Sequence, residues 1–113
     1  MIQSRGKAAQ EYDYLTGLYV EDTDAVNNDK AVYVKYTAIT GQAYLYCDSQ
    51  GRWAVSSGSI SNDFPELATR WPAEHFDHDP AEDSETGNTL RYRFPKNKNH
   101  WNDDDKTLKI VRH

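Results

Sequence analysis

The densest run of ligating side chains in this 113-residue chain is His75-Phe76-Asp77-His78-Asp79. If the segment is extended, His75, Asp77 and Asp79 share one side and offer one imidazole and two carboxylates to a metal, as a metal-dependent enzyme would require. The pattern lacks the second alternating histidine common in such sites. It also fails as a calcium loop. Counting from Asp77, the sixth position is Glu82 where the turn needs glycine, and the twelfth is Asn88 where a bidentate glutamate belongs. Asp22-Thr23-Asp24 has the same defect, with Asn27 in the glycine slot. A run of like charges is ordinarily a solvated face, so the expectation is an acidic loop, no resting metal and no cofactor.

Tryptophan is the second chemistry-bearing type. Trp53 lies inside a strand-like run and reads as core. Trp71 precedes Pro72, and Trp101 sits in Asn99-His100-Trp101-Asn102-Asp103. A loop tryptophan flanked by amides could stack on a sugar ring while Asn99 and Asn102 bond its hydroxyls. The plainer alternative is a loop anchor that plugs the end of a small sheet. The third feature is basic: Arg91, Arg93, Lys96 and Lys98 flank Tyr92 and Phe94. Basic residues interleaved with aromatics can hold single-stranded nucleic acid. The neighbouring Asp103-Asp104-Asp105 opposes that and favours an acidic partner, or the chain's own acidic loops. Cys47 shares strand parity with Ala43 and Leu45, which marks a small buried residue rather than a nucleophile. No nucleophile elbow or phosphate-cradling glycine loop occurs.

Composition narrows the field further. Thirteen Lys and Arg stand against eighteen Asp and Glu, a formal charge of −5, which argues against a general nucleic-acid or anionic-membrane binder. No apolar stretch approaches the ~20 residues of a membrane span. The first residues lack the apolar run of a signal peptide, which makes the cytoplasm the default expectation. One cysteine excludes an internal disulfide. Aromatic residues make up 12 % of the chain, too many for an average disordered segment, so a single domain over residues 1–113 is expected.

The elements that must position these groups are short strands. Residues 17–20, 31–37, 43–47, 52–57, 89–94 and 107–111 are rich in β-branched and aromatic types and bounded by turn residues. Residues 31–57 read as a three-stranded antiparallel meander, with Gly51 supplying positive φ in one turn. Alternation in 89–94 places Leu90, Tyr92 and Phe94 on one face and Arg91 and Arg93 on the other. Residues 22–30, 74–88 and 96–105 read as polar loops, 64–68 as a helical turn, and 7–15 as a peripheral helix or edge strand. The expected fold is all-β: a small, bent antiparallel sheet or barrel-like sandwich.

Gly17-Leu18-Tyr19, Val32-Tyr33, Tyr44-Leu45-Tyr46 and Trp53-Ala54-Val55, followed by Pro72, Trp101 and Leu108-Lys109-Ile110, resemble an aromatic-rich β module of large protist and marine-invertebrate proteins. The resemblance spans about residues 17–111 and implies a β fold without a particular activity. The functional expectation is therefore a non-catalytic interaction domain that binds a protein partner. Its candidate ligand-binding residues are Trp71, Trp101, Asn99, Asn102, Arg91 and Arg93. A carbohydrate-binding module and a metal-dependent enzyme at His75, Asp77 and Asp79 are the alternatives; neither nucleic acid nor membrane is expected as a partner.

Overall fold

Strand-forming runs separated by only a few residues pair with their neighbours in sequence, and here nearly every one does so. The computed structural model describes residues 1–37, 41–61, 64–72, 80–85, 87–94 and 97–112. The elements are β1 (Ile2–Gln3), α1 (Lys7–Glu11), a 3-10 turn (Asp13–Leu15), β2 (Val20–Asn27), β3 (Lys30–Thr37), β4 (Gly41–Cys47), β5 (Trp53–Ser57), β6 (Leu67–Thr69), α2 (Pro80–Glu85), β7 (Leu90–Phe94), β8 (Asn97–Asn102) and β9 (Lys109–Ile110). Strands β2 to β8 form one seven-stranded antiparallel sheet in chain order, and β1 pairs with β9 in a second, two-stranded sheet. The fold is all-β and the large sheet is open, with β2 and β8 as its edges. The expected meander of β3, β4 and β5 is its centre.

Four local expectations are corrected. Residues 22–27 extend β2 rather than opening a loop, and the turn is only Asn28-Asp29, with φ of +50° and +63°. Asn and Asp tolerate this left-handed conformation, so two residues suffice to pair Asn27 with Lys30. Residues 67–69 form β6, not a helical turn, because β5 and β7 supply backbone partners on both sides. Residues 97–102 pair with β7 as an edge strand despite their polar composition. The strand expected over 107–111 is confined to Lys109–Ile110 and pairs with β1. Residues 7–15, left open by the sequence, form α1 and the 3-10 turn, and α2 rises from the acidic stretch with Pro80 at its tolerated first position.

Alternation gives the sheet two faces. On the first, Ala43, Leu45, Cys47, Trp53, Val55, Leu67, Leu90 and Tyr92 are buried beneath Ile2, Ala8, Tyr12, Leu15, Tyr19, Ala81, Leu108 and Ile110. On the second, the buried apolar cluster is only Val32, Tyr46, Ala54 and Ala68 among the described residues, and Val34, Tyr44, Ile60 and Trp101 pack on them while remaining partly open. The Tyr46 hydroxyl donates to the Ser61 carbonyl and accepts the Ser61 N–H, drawing one loop over this face.

Asp105 clasps the covering layer. Its carboxylate accepts the Ser4 hydroxyl at 2.5 Å, the Thr107 hydroxyl at 2.6 Å, and the N–H groups of Thr107 and Ala8 at 2.9 and 3.1 Å. Burial works to raise its pKa, but these bonds outweigh it and hold the carboxyl below its ordinary value. A Cβ on Gly6 would stand 2.7 Å from this carboxylate, so the close approach requires glycine.

Candidate functional site

The second face ends, at β7 and β8, in a cluster of cations around an indole. Register pairs Arg93 with Trp101, and Arg91 with Ala68, which in turn opposes Ala54. The two alanines are small enough to leave a floor on which longer side chains can lie. The guanidinium carbons of Arg93, Arg91 and Arg52 stand 4.1, 5.1 and 5.5 Å from the centre of the Trp101 ring. Arg70 lies over Trp71 at 4.9 Å and reaches Asp103 at 3.8 Å.

Each arginine is held by a different local device. Arg52 is buried and forms an ion pair at 2.8 Å with the fully buried Asp48. That carboxylate also accepts the N–H groups of Gln50 and Arg52, which shapes the β4–β5 turn. Gly51, at φ +78°, completes it. Arg93 is buried too; its Nε donates to the Pro65 carbonyl at 2.7 Å, and it packs on Phe64. Arg91 is half-buried, and its Nε lies out of solvent without a hydrogen-bond acceptor among the described residues. Arg70 is open to solvent. Burial first, and then repulsion from Arg52 and Arg70, lowers the pKa of Arg91; burial and Arg52 act likewise on Arg93. Even so lowered, Arg91 and Arg93 remain cations at physiological pH.

Of the sequence-derived candidates, Arg91, Arg93 and Trp101 converge on one site. Trp71 sits beside it through Arg70 and is 54 % exposed; its backbone is fixed by reciprocal bonds with the Asn88 amide. Asn99 is exposed on β8 with the strand parity of Trp101, whereas the Asn102 amide oxygen caps the Asp104 N–H. His75, Asp77, Asp79 and Lys96 lie outside the described residues, and the Lys98 side chain is likewise not described. Among the described residues no group of three or more metal-ligating side chains comes together, and no helix is long and apolar enough to cross a membrane.

Sequence reasoning missed Arg52 and Arg70. Both have the parity of Ala54 and Ala68 and so belong to the second face, but Arg70 could be placed only once β6 was known to be a strand. Comparison of the chain with protein-family models, with curated proteins and with solved structures gives no match.

Proposed function

We propose that this chain is a non-catalytic interaction domain that binds an acidic segment of a protein partner on the arginine-and-tryptophan face. One observation carries the reading: a chain of net charge −5 gathers four arginines around Trp71 and Trp101 on the less covered side of its sheet. Like charges repel, so such a gathering is favourable when an anion completes it. Arginine and tryptophan are also the side chains that most often dominate binding energy at protein interfaces. The resemblance to the aromatic-rich β module implies a β fold and adds nothing to this reading.

The protein-partner reading is preferred to a sugar platform because the ring of Trp101 already has guanidiniums against it, which leaves less flat indole surface for a pyranose. An octaglutamate peptide is the direct probe. Fluorescence anisotropy should show binding at low ionic strength that weakens steeply as salt rises through the range where the Debye length falls below about 10 Å. Reversal of the exposed charge in Arg70→Glu should weaken it further. Wild-type protein that binds no acidic peptide at low salt overturns the reading.

A further inference from the structure

Resting on that reading, we propose that the face recognises a phosphorylated side chain of the protein partner, with Arg91 and Arg70 as the groups that grip the phosphate. Three observations at the site bear on this, and the first favours a phosphate ester over a plain carboxylate. The first is charge. The described carboxylates in reach are Asp48, engaged by Arg52, and Asp103, near Arg70. Glu66 also attracts Arg93, but its carboxylate is engaged by the Ser57 N–H and hydroxyl at 2.8 and 2.7 Å. Four guanidiniums against the carboxylates of Asp48, Asp103 and Glu66 leave a net positive field, and a phosphate monoester, carrying about −1.5 to −2 at neutral pH where a glutamate carries one, is drawn to it more strongly.

The second observation is an unused donor. Arg91 is the arginine whose Nε has no acceptor among the described residues, although that atom is shielded from water. A shielded N–H without a partner is costly, and a small side-chain shift that opens it to an incoming oxygen would relieve that cost. A guanidinium presents parallel N–H groups in a rigid fork that matches two oxygens of a tetrahedral oxyanion. The third is the division of labour among the cations. Arg52 and Arg93 are buried and already bonded to Asp48 and Pro65, so they hold the ring and the field in place. Arg91 is half-buried and Arg70 exposed, and these two can meet a ligand from solvent without reorganising the fold. Trp71, exposed beside Arg70, offers apolar contact to the residue next to the phosphate.

Titration calorimetry tests this with a nine-residue glycine and serine peptide carrying one central phosphoserine, the same peptide with glutamate at that position, and octaglutamate. The phosphoserine peptide should bind at least about tenfold more tightly than its glutamate twin, because the doubly charged, bidentate contact is the stronger one. Arg91→Ala should lose that preference. Arg91→Lys, which keeps the charge and removes the fork, should lose most of it. Should Arg91→Ala fail to fold by thermal melting, the exposed Arg70→Ala serves in its place, with a loss of about threefold or more.

Equal affinity for the phosphoserine and glutamate peptides overturns this inference while leaving the acidic-partner reading intact. Binding of neither peptide, nor of octaglutamate, overturns both. Tighter binding of an eight-nucleotide single strand than of the phosphoserine peptide overturns the choice of a protein as the carrier. Unchanged phosphopeptide affinity in folded Arg91→Ala and Arg70→Ala overturns the assignment of the site.

Discussion

The two faces of the seven-stranded sheet are built from the same strands, with opposite results. The first face is capped by the N-terminal segment, α2 and the β1–β9 pair, and its side chains are almost all apolar. The second has a buried apolar cluster of four described residues, two of them alanine, and its remaining cover at the β7–β8 end is arginine and tryptophan. Burying apolar area stabilises by about 25 cal/mol per Å2, so the first face holds the fold together. Cation–π contacts at half-open sites give only about 0.5–1 kcal/mol each, so the second face is a poor way to gain stability. Its composition makes physical sense as a surface for an anion. One sheet thus separates apolar from cationic side chains by alternation, as Leu90 and Tyr92 against Arg91 and Arg93 illustrate, and on the proposed reading this divides folding from recognition.

The sharpest way to break this comparison is to remove one indole from each face. Trp53, 2 % exposed, packs edge-on against Tyr33 within the first core, and Trp53→Ala should cost about 3–5 kcal/mol in urea unfolding. Trp101→Ala should cost about 1–2 kcal/mol, since it forfeits partial burial and a few cation–π contacts. It should nevertheless abolish octaglutamate binding. Equal stability losses would mean that the second face is as much a folding surface as the first.

Next in size is the clasp that holds the covering layer on the first face. Asp105→Asn keeps the shape of the side chain but removes the charge that four donors engage, and should cost about 1.5–3 kcal/mol near neutrality. The sign with pH is fixed by the direction of the shift. A carboxyl whose folded pKa lies below its unfolded value of about 3.9 stabilises above that value, and the contribution is lost as pH falls through the folded pKa. The gap between wild type and Asp105→Asn should therefore close below about pH 4. A gap that persists unchanged to pH 2 would show that the charge of Asp105 is not what ties the segment down.

A smaller effect is expected in the β4–β5 turn, which belongs to both faces because it aims Arg52 at one and Trp53 at the other. Gly51 holds φ +78°, and Gly51→Val should cost about 1–2 kcal/mol through the left-handed conformation alone. Among the described residues its Cβ would meet only Pro72, at an ordinary 3.5 Å, so packing there adds little. Unchanged thermal stability would sink the turn assignment.

Legibility differed between the faces for the same reason. The first face announces itself in apolar alternation, and β3, β4, β5 and β7 were readable from Val, Tyr, Leu and Trp at period two. The β2 extension, β6 and β8 were not, because Glu-Asp-Thr-Asp, Leu-Ala-Thr and Asn-Lys-Asn-His have weak strand preference and are held in the sheet by the backbone of the strands beside them. Arg91, Arg93 and Trp101 could be nominated from local composition. That Arg52 and Arg70 join them depends on the β5–β6–β7 register, which no local pattern encodes.

The smallest effect is optical, and it reads the electrostatic difference between the faces directly. Trp71 is 54 % exposed, Trp101 is half-buried and Trp53 is 2 % exposed, so collisional quenching should come mostly from Trp71 and leave Trp53 untouched. Replacing Trp71 by Phe changes a surface residue and should shift stability by no more than about 0.5 kcal/mol. In that variant the remaining quenching belongs to Trp101, whose ring has three guanidinium carbons within 5.5 Å. A local positive potential concentrates an anion and repels a cation, over a range set by ionic strength. Iodide should therefore quench Trp101 more strongly than caesium does, although the chain as a whole carries −5. Raising the salt to about 1 M, where the Debye length is near 3 Å, should bring the two quenchers together. If caesium quenches as well as iodide at low salt, the arginines do not set the field at Trp101, and the contrast between the two faces loses its electrostatic half.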